Sequence, residues 1–492
     1  MRTLLAILAL WLGGSLAAGQ TLVMAFGADP STLDPQVATD EVAFFVTHQI
    51  YETLVRVAPE GRLVPGLAIA WSYPNATTLR MDLRQGVTFH DGVVLDAAAV
   101  VASLERLLDA DPPAPGRRLL GPVREVRAVD ADTIDIVSDT PFAPLLTQLA
   151  HPSTAIVSVD RAEALGRAPV GTGPFAFERW VEGSEIVLHA YADHWGGAPE
   201  LERVVIRVIA DADAQVFELR SGGVDLVFDV PAGAFARLAA DPAIVAGAVD
   251  GWGAVHLVLN LAHPPLGDVR VRQAIAHAID RQQIAYDVLG GLARPAASPV
   301  PRPVRFAVDL PEAYPFDPAR AVALLAEAGH EDLRLRLDLV RDATLESVAQ
   351  ALRTSLAEVG IELDVRVLVP PAFARLAASA DAEALLVRVD VPTLDADDAL
   401  YALFHSSAIP ETNWARYADA AVDGLLEQGR EVPDDAVRTL VYGDVQAMVV
   451  RDLPLVTLVQ PRYTYAKRPK VQGEVMGSAW FLLDLRAAAL AD

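Results

Sequence analysis

The chain contains no cysteine in 492 residues. That excludes a disulfide framework, a thiolate metal centre, a cysteine nucleophile and the acylated cysteine of a lipoprotein. Basic residues are also scarce, with 40 Lys and Arg against 65 Asp and Glu and a formal net charge of −25. A surface this acidic repels phosphate backbones and anionic lipid, so no nucleic-acid partner and no membrane-surface role is expected. Beyond the first residues no long apolar run is available to span a bilayer, although 52% of the residues are hydrophobic.

What is present begins at the N-terminus. Arg2 precedes the apolar run "LLAILALWLGG" and the small-residue exit "SLAAGQ", the three parts of a cleavable secretory signal. The apolar run is shorter than the roughly 20 residues a spanning helix needs. Residues 1–19 are therefore expected to be removed, releasing a periplasmic product. The remaining chain exceeds what one hydrophobic core normally supports, so at least two lobes are expected. Two proline-rich stretches, "DPPAPGRR" (111–118) and "ARPAASPVPRPVRF" (293–306), read as loops, the second long enough to join lobes.

Periodicity indicates a mixed α/β chain. "LRLRLDLV" (333–340) and "IELDVRVL" (361–368) alternate as half-buried strands do. Between them Leu345, Val348, Leu352, Leu356 and Val359 share one helical face, with Gly360 at the left-handed stop. A helix from Asp317 to Gly329 and another over 269–284, capped by Asp268, follow from the same signals. "TIDIVS" (133–138), "VVIRVI" (204–209) and "HLVLNL" (256–261) read as further strands.

The stretches that invite a chemical reading are weak ones. Gly171 and Gly173 in "PVGTGPFAFERW" lack the following helix that a phosphate loop requires, and Pro174 removes a donor, so a turn entering a strand is the expected structure. His90 and Asp91 in "FHDG" fit a hairpin turn better than an acid–base pair. His48 and Glu52 stand at helical spacing, as a salt-bridged surface would place them. No zinc-protease spacing and no nucleophile elbow occurs. No enzymatic activity, metal or cofactor is expected.

Nine strings, "STLDPQ", "QIYETLV", "PGLAIAWSYPNATTLRMDLRQGVTFHDG", "PVGTGPFAFERW", "YADHWGG", "SGGVDL", "LVLN…DVRVRQAIAHAID", "YPFDPARAVALLAEAG" and "DLPLVTL", stand in an order and spacing that resemble the bacterial extracellular solute-binding proteins of the peptide, nickel and opine type. The resemblance runs from about residue 21 to 490. It implies an α/β, two-lobed periplasmic-binding-protein clamp (type II, cluster C) with an extra inserted domain. By analogy lobe I comprises 20–51, 171–265 and 466–492, the insert 52–170 and lobe II 266–465. The implied role is a monomeric receptor that holds a small peptide between the lobes and hands it to the membrane permease of an ATP-driven (ABC) importer.

The resemblance also implies the wall residues. Thr39, Asp40 and Glu41 correspond to one wall, and "VRVDVPTLDADDALYALFHS" to the other. Within it Asp395 is the first choice for the ligand's ammonium group, Asp390 the second, and Asp397 a helix cap. Arg388 is a candidate for a ligand carboxylate. Asn413 and Tyr417 match a recurring pair, and Trp252, Tyr463 and Tyr465 are candidate aromatic walls. The chain departs from the pattern at Val389, Leu394 and Ala396, where relatives often carry Trp, Gly and Pro. A nickel chelate, a glutathione-like solute or an opine is the alternative ligand, and an exported hydrolase or a ligand sensor on the same clamp is the alternative function. Micromolar capture needs only about 8 kcal/mol net, which a few backbone hydrogen bonds and one charge-assisted contact supply.

Overall fold

The computed structural model describes residues 20–58, 61–330, 332–473 and 482–491. The expected signal segment lies outside the described residues. Ten strands run in one continuous order through the main sheet, and two more join it through the strand Leu455–Lys467. This strand is thirteen residues long, about 43 Å at ordinary strand rise. Its first half pairs with Gly253–Leu259 and its second half with Leu226–Phe228 and Val245–Asp250. Two halves of the molecule are thereby built on one shared ribbon.

In the first half, Thr21–Phe26 lies parallel to Arg203–Val208, with Glu185–Ala190 and Phe175–Val181 continuing outward antiparallel. In the second, Leu333–Val340 pairs parallel with both Ile361–Leu368 and Ala384–Asp390. The helix Ala343–Ala357 makes the crossover between the first two. Its apolar face, Leu345, Val348, Leu352 and Leu356, is buried in the second half's core. A third body, the four-stranded antiparallel sheet of Ala68–Asn75, Thr78–Leu83, Val123–Ala128 and Thr133–Ser138, carries its own apolar core with the helix Ala97–Leu108.

The chain crosses between the halves at Gly251 and Trp252. There the Gly251 N–H donates to the Pro461 carbonyl (3.0 Å) and Gln460 Nε2 donates to the Gly251 carbonyl (2.6 Å). A β-carbon on Gly251 would stand 2.7 Å from the Pro461 oxygen. These contacts tie the 251–252 segment to the middle of the strand Leu455–Lys467.

Other local expectations meet the structure differently. Gly171 and Gly173 form a turn leading into the strand Phe175–Val181. A β-carbon at Gly171 would lie 2.1 Å from the Ile50 carbonyl oxygen. The "FHDG" turn closes through hydrogen bonds between Phe89 and Val93 and from Gly92 to Phe89. The helix expected over 269–284 ends at His277, because Asp280 caps a new turn by accepting from the Gln283 N–H, and a π-helical turn, Ile284–Val288, follows. The surface pair expected of His48 and Glu52 does not form: the helix Glu41–Ile50 has ended, and Glu52 is buried, accepting from Thr172 Oγ1 (3.0 Å) and Trp195 Nε1 (2.8 Å).

Candidate functional site

A cleft of about 440 Å³ opens beside the crossing. Its volume lies in the range of small-molecule sites. Three parts of the chain wall it. Thr39, Glu41 and Phe44 come from the first half, and Arg118, His151 and Ser153 from the body with the four-stranded sheet. Val389, Asp390, Asp398 and Ala402 come from the second half, with Trp252 at the junction. The site exists only because these three bodies meet.

Of the residues expected here, Thr39, Glu41, Trp252 and Asp390 line the cleft. Asp40 does not: it caps the helix Glu41–Ile50, accepting from the Ala43 N–H (2.8 Å) and the Ser31 N–H (3.1 Å). Arg388 and Tyr463 stand behind the wall. Arg388 Nε donates to Asp390 Oδ1 (2.8 Å), and Nη2 donates to the Tyr463 hydroxyl (2.5 Å). Burial opposes charge on Arg388, but Asp390, the Tyr463 hydroxyl and Glu41 outweigh it and hold the guanidinium above its ordinary pKa. The Tyr463 ring packs 6.4 Å from that of Trp252, so this ion pair braces the aromatic floor.

Asp395 is placed otherwise than expected. It is fully buried, and both its oxygens accept from Arg438 at 2.9 Å. Thr147 Oγ1 adds a third hydrogen bond (3.1 Å), and the Asp397 N–H a fourth (3.0 Å). Asp395, not Asp397, is the cap of the helix Ala396–Phe404. Asp397 accepts instead from Arg430 and from the Tyr442 hydroxyl. Neither carboxylate lines the cleft.

Asn413 and Tyr417 are likewise committed to the core. Asn413 bridges the His405 and Tyr417 carbonyls and accepts from the Tyr417 N–H, while the Tyr417 hydroxyl donates to Asp452 (2.7 Å). Tyr465 packs its ring against Gly247, where a β-carbon would meet it at 2.6 Å. All three lie away from the cleft lining.

Sequence reasoning missed Arg118, His151 and Asp398. Nothing marks Arg118 among 40 basic residues. Asp398 sits in "DADDAL", but a helix turns about 100° per residue, so adjacent carboxylates face different neighbours. Burial, with the aspartates at 397 and 395 beside it, pushes the Asp398 carboxyl up to about 6, against the opposing pull of Arg118. His151 accepts from the Ser153 N–H (3.1 Å) and stacks edge-on to Phe44 (5.0 Å). Burial, aided by the charge of Arg118, lowers its pKa to about 3, so the ring is neutral.

Two halves on a shared ribbon, with a solute-sized cleft at their crossing and an added antiparallel body, define the type II periplasmic binding-protein clamp. The chain belongs to the bacterial extracellular solute-binding proteins of family 5. The family model, described as "Bacterial extracellular solute-binding proteins, family 5 Middle", matches residues 62–411. The glutathione-binding protein GsiB of Salmonella paratyphi A is 28% identical over 485 residues, 94% of each chain. The structure of the periplasmic binding protein DppA from Helicobacter pylori, in complex with peptide STSA, superposes with a TM-score of 0.78 at 28% identity, covering 96% of this chain and 98% of that one. HbpA2 from Haemophilus parasuis superposes at 0.88 with 25% identity, over 96% and 100%. Among the described residues no helix is long and apolar enough to cross a membrane.

Proposed function

We propose that this chain is a periplasmic receptor that closes on a short peptide or peptide-like solute and delivers it unchanged to the permease of an ABC importer. The observation that carries the reading is the cleft of about 440 Å³ at the crossing of the two halves, lined from three bodies. Closure of such halves buries the ligand and presents a joint surface to a membrane partner. The relatives point to the same ligand class: one is named for binding glutathione, a peptide, and another was solved with peptide STSA.

In this reading Thr39, Glu41, Trp252, Val389 and Asp390 form the walls, with Arg388 and Tyr463 fixing Asp390 and Trp252 from behind. Extended peptide then gains affinity through its main chain, and side-chain pockets set preference. The receptor acts as a monomer, without cofactor, after loss of residues 1–19. Incubation with a mixture of dipeptides and tripeptides, followed by native mass spectrometry, tests it. Retention of intact peptide is expected. Shortened peptides in solution would point to a hydrolase, and no retained mass would refute the peptide reading.

A further inference from the structure

We infer that the chain carries a second ligand site, apart from the cleft, in which Arg281 takes the carboxylate of a small monocarboxylic acid. Much of its lining comes from the proline-rich stretch 293–306. There a cavity of about 230 Å³ is walled by Ala254, Ala297, Val300, Leu310 and Gln460 together with Arg281, and a narrower space of about 20 Å³ shares Arg281, Ala297 and Glu312 with it. The larger volume is about the liquid share of seven waters, room for a carboxylate with a short hydrocarbon tail. No residue of either lining belongs to the cleft at the crossing.

Two buried side-chain amides hold the stretch in place. Gln446 Oε1 accepts from Ser298 Oγ (2.8 Å) and the Val308 N–H (3.3 Å), its Nε2 donates to the Phe306 carbonyl (2.9 Å), and Gln460 Oε1 accepts from the Arg302 N–H (3.4 Å). Pro295, Pro299, Pro301 and Pro303 fix φ along it, so it does not collapse onto the space it encloses. Gln460 Nε2 also donates to the Gly251 carbonyl (2.6 Å), which sets the cavity against the crossing of the halves.

Arg281 opens the short turn Arg281–Gln283, and its side chain is only 6% exposed. Nε donates to the Thr457 carbonyl (2.8 Å), and Nη1 to the Tyr314 carbonyl (3.1 Å) and Glu312 Oε1 (3.3 Å). Nη2 donates to nothing among the described residues. Burial lowers the guanidinium's pKa, and Glu312 offsets this only in part, because that carboxylate is itself 47% exposed. A buried donor without an acceptor is costly, and an anion at Nη2 supplies both the acceptor and the missing countercharge. Arg302 and Asp309, the other charges of the lining, are exposed and pair with each other at 3.0 Å. With two carboxylates already in the lining a dianion is repelled, and the alanine, valine and leucine walls suit an apolar tail.

The test titrates the mature wild-type chain with trifluorobutyrate and with its neutral counterpart trifluorobutanol, followed by fluorine NMR. Wild type should bind the acid with a dissociation constant of roughly 1 mM and the alcohol about tenfold more weakly, the scale of one charge-assisted contact. Ala297→Leu, which fills the cavity and leaves Arg281 in place, should lose the acid. Arg281→Lys, which keeps the charge without the fork, should bind it roughly fivefold more weakly. Because a buried variant can fail to fold, wild-type crystals soaked in sodium butyrate give a reading that needs no variant: density for the acid at Arg281 Nη2 supports the inference. Equal binding of acid and alcohol, undiminished binding of the acid by a folded Ala297→Leu chain, or water alone in the soaked cavity overturns it.

Discussion

Replacing Asp395 by Ala separates a structural role from a ligand role, because the two predict different readouts. The carboxylate and Arg438 are 1% and 2% exposed at their side chains and are joined by two hydrogen bonds of 2.9 Å. Burial works against the Arg438 charge, but Asp395 outweighs it and keeps the guanidinium above its ordinary pKa. The fork also spends Nε on the Gly429 carbonyl (3.0 Å) and lies over the Phe306 ring, so it has no route to water. Removing the carboxylate strands that charge at a cost of about 3–5 kcal/mol. Loss of the helix cap adds about 1 kcal/mol.

Urea unfolding followed by tryptophan fluorescence reads both the midpoint and its slope. Asp395→Ala should lower the midpoint by that free energy divided by the slope, with the slope itself unchanged. Asp395→Asn, which keeps one oxygen where Asp395 uses Oδ1 for the Asp397 N–H and Oδ2 for Thr147, should fall between. The double change Asp395→Leu with Arg438→Met should be less damaging than Asp395→Ala, since replacing both members of a buried pair by apolar groups is often neutral. An Asp395→Ala chain of wild-type stability that had lost affinity only for peptides with free amino ends would refute this reasoning and return Asp395 to the ligand.

Gly171→Ala forces a β-carbon to within 2.1 Å of the Ile50 carbonyl oxygen, and thermal unfolding should show a loss of at least the roughly 1–3 kcal/mol typical of overpacking. Burial lowers His90 to about 4 and both His151 and His256 to about 3. The unfolded chain therefore binds more protons between pH 6.5 and about 3, and stability should fall as pH drops through that window. Asp398, raised to about 6, works in the opposite direction. A His256→Asn chain should show a shallower acid slope in urea midpoints measured across this range, and an unchanged slope would count against the burial argument. Tyr463→Phe deletes the hydroxyl that accepts from Arg388 Nη2, and calorimetric titration with peptide should show less than a threefold change, about 0.6 kcal/mol, because Asp390 still holds Arg388.

Much of the local structure was readable because it depends on neighbours in sequence. The strands Leu333–Val340 and Ile361–Leu368 coincide with their alternating runs, and the helix Ala343–Ala357 with its apolar face. The site was read unevenly. Thr39, Glu41, Trp252 and Asp390 reach the cleft, whereas Asp40, Asp395, Asn413 and Tyr417 hold caps, ion pairs and loops in place. In sequence an aspartate that caps a helix and one that faces a ligand look alike, since both stand before a helical run.

The amino-acid sequence by itself determined the α/β periodicity, the turns at Gly171 and Gly92, and the acidic, cysteine-free character of the chain, because each depends on residue type or on spacing within a few positions. Tertiary structure alone decided which charges meet. Arg438 found Asp395 across 43 residues, and Arg118 came to face Asp398 from a separate body. Those pairings depend on three bodies packing around one shared strand, a long-range arrangement that no local pattern encodes.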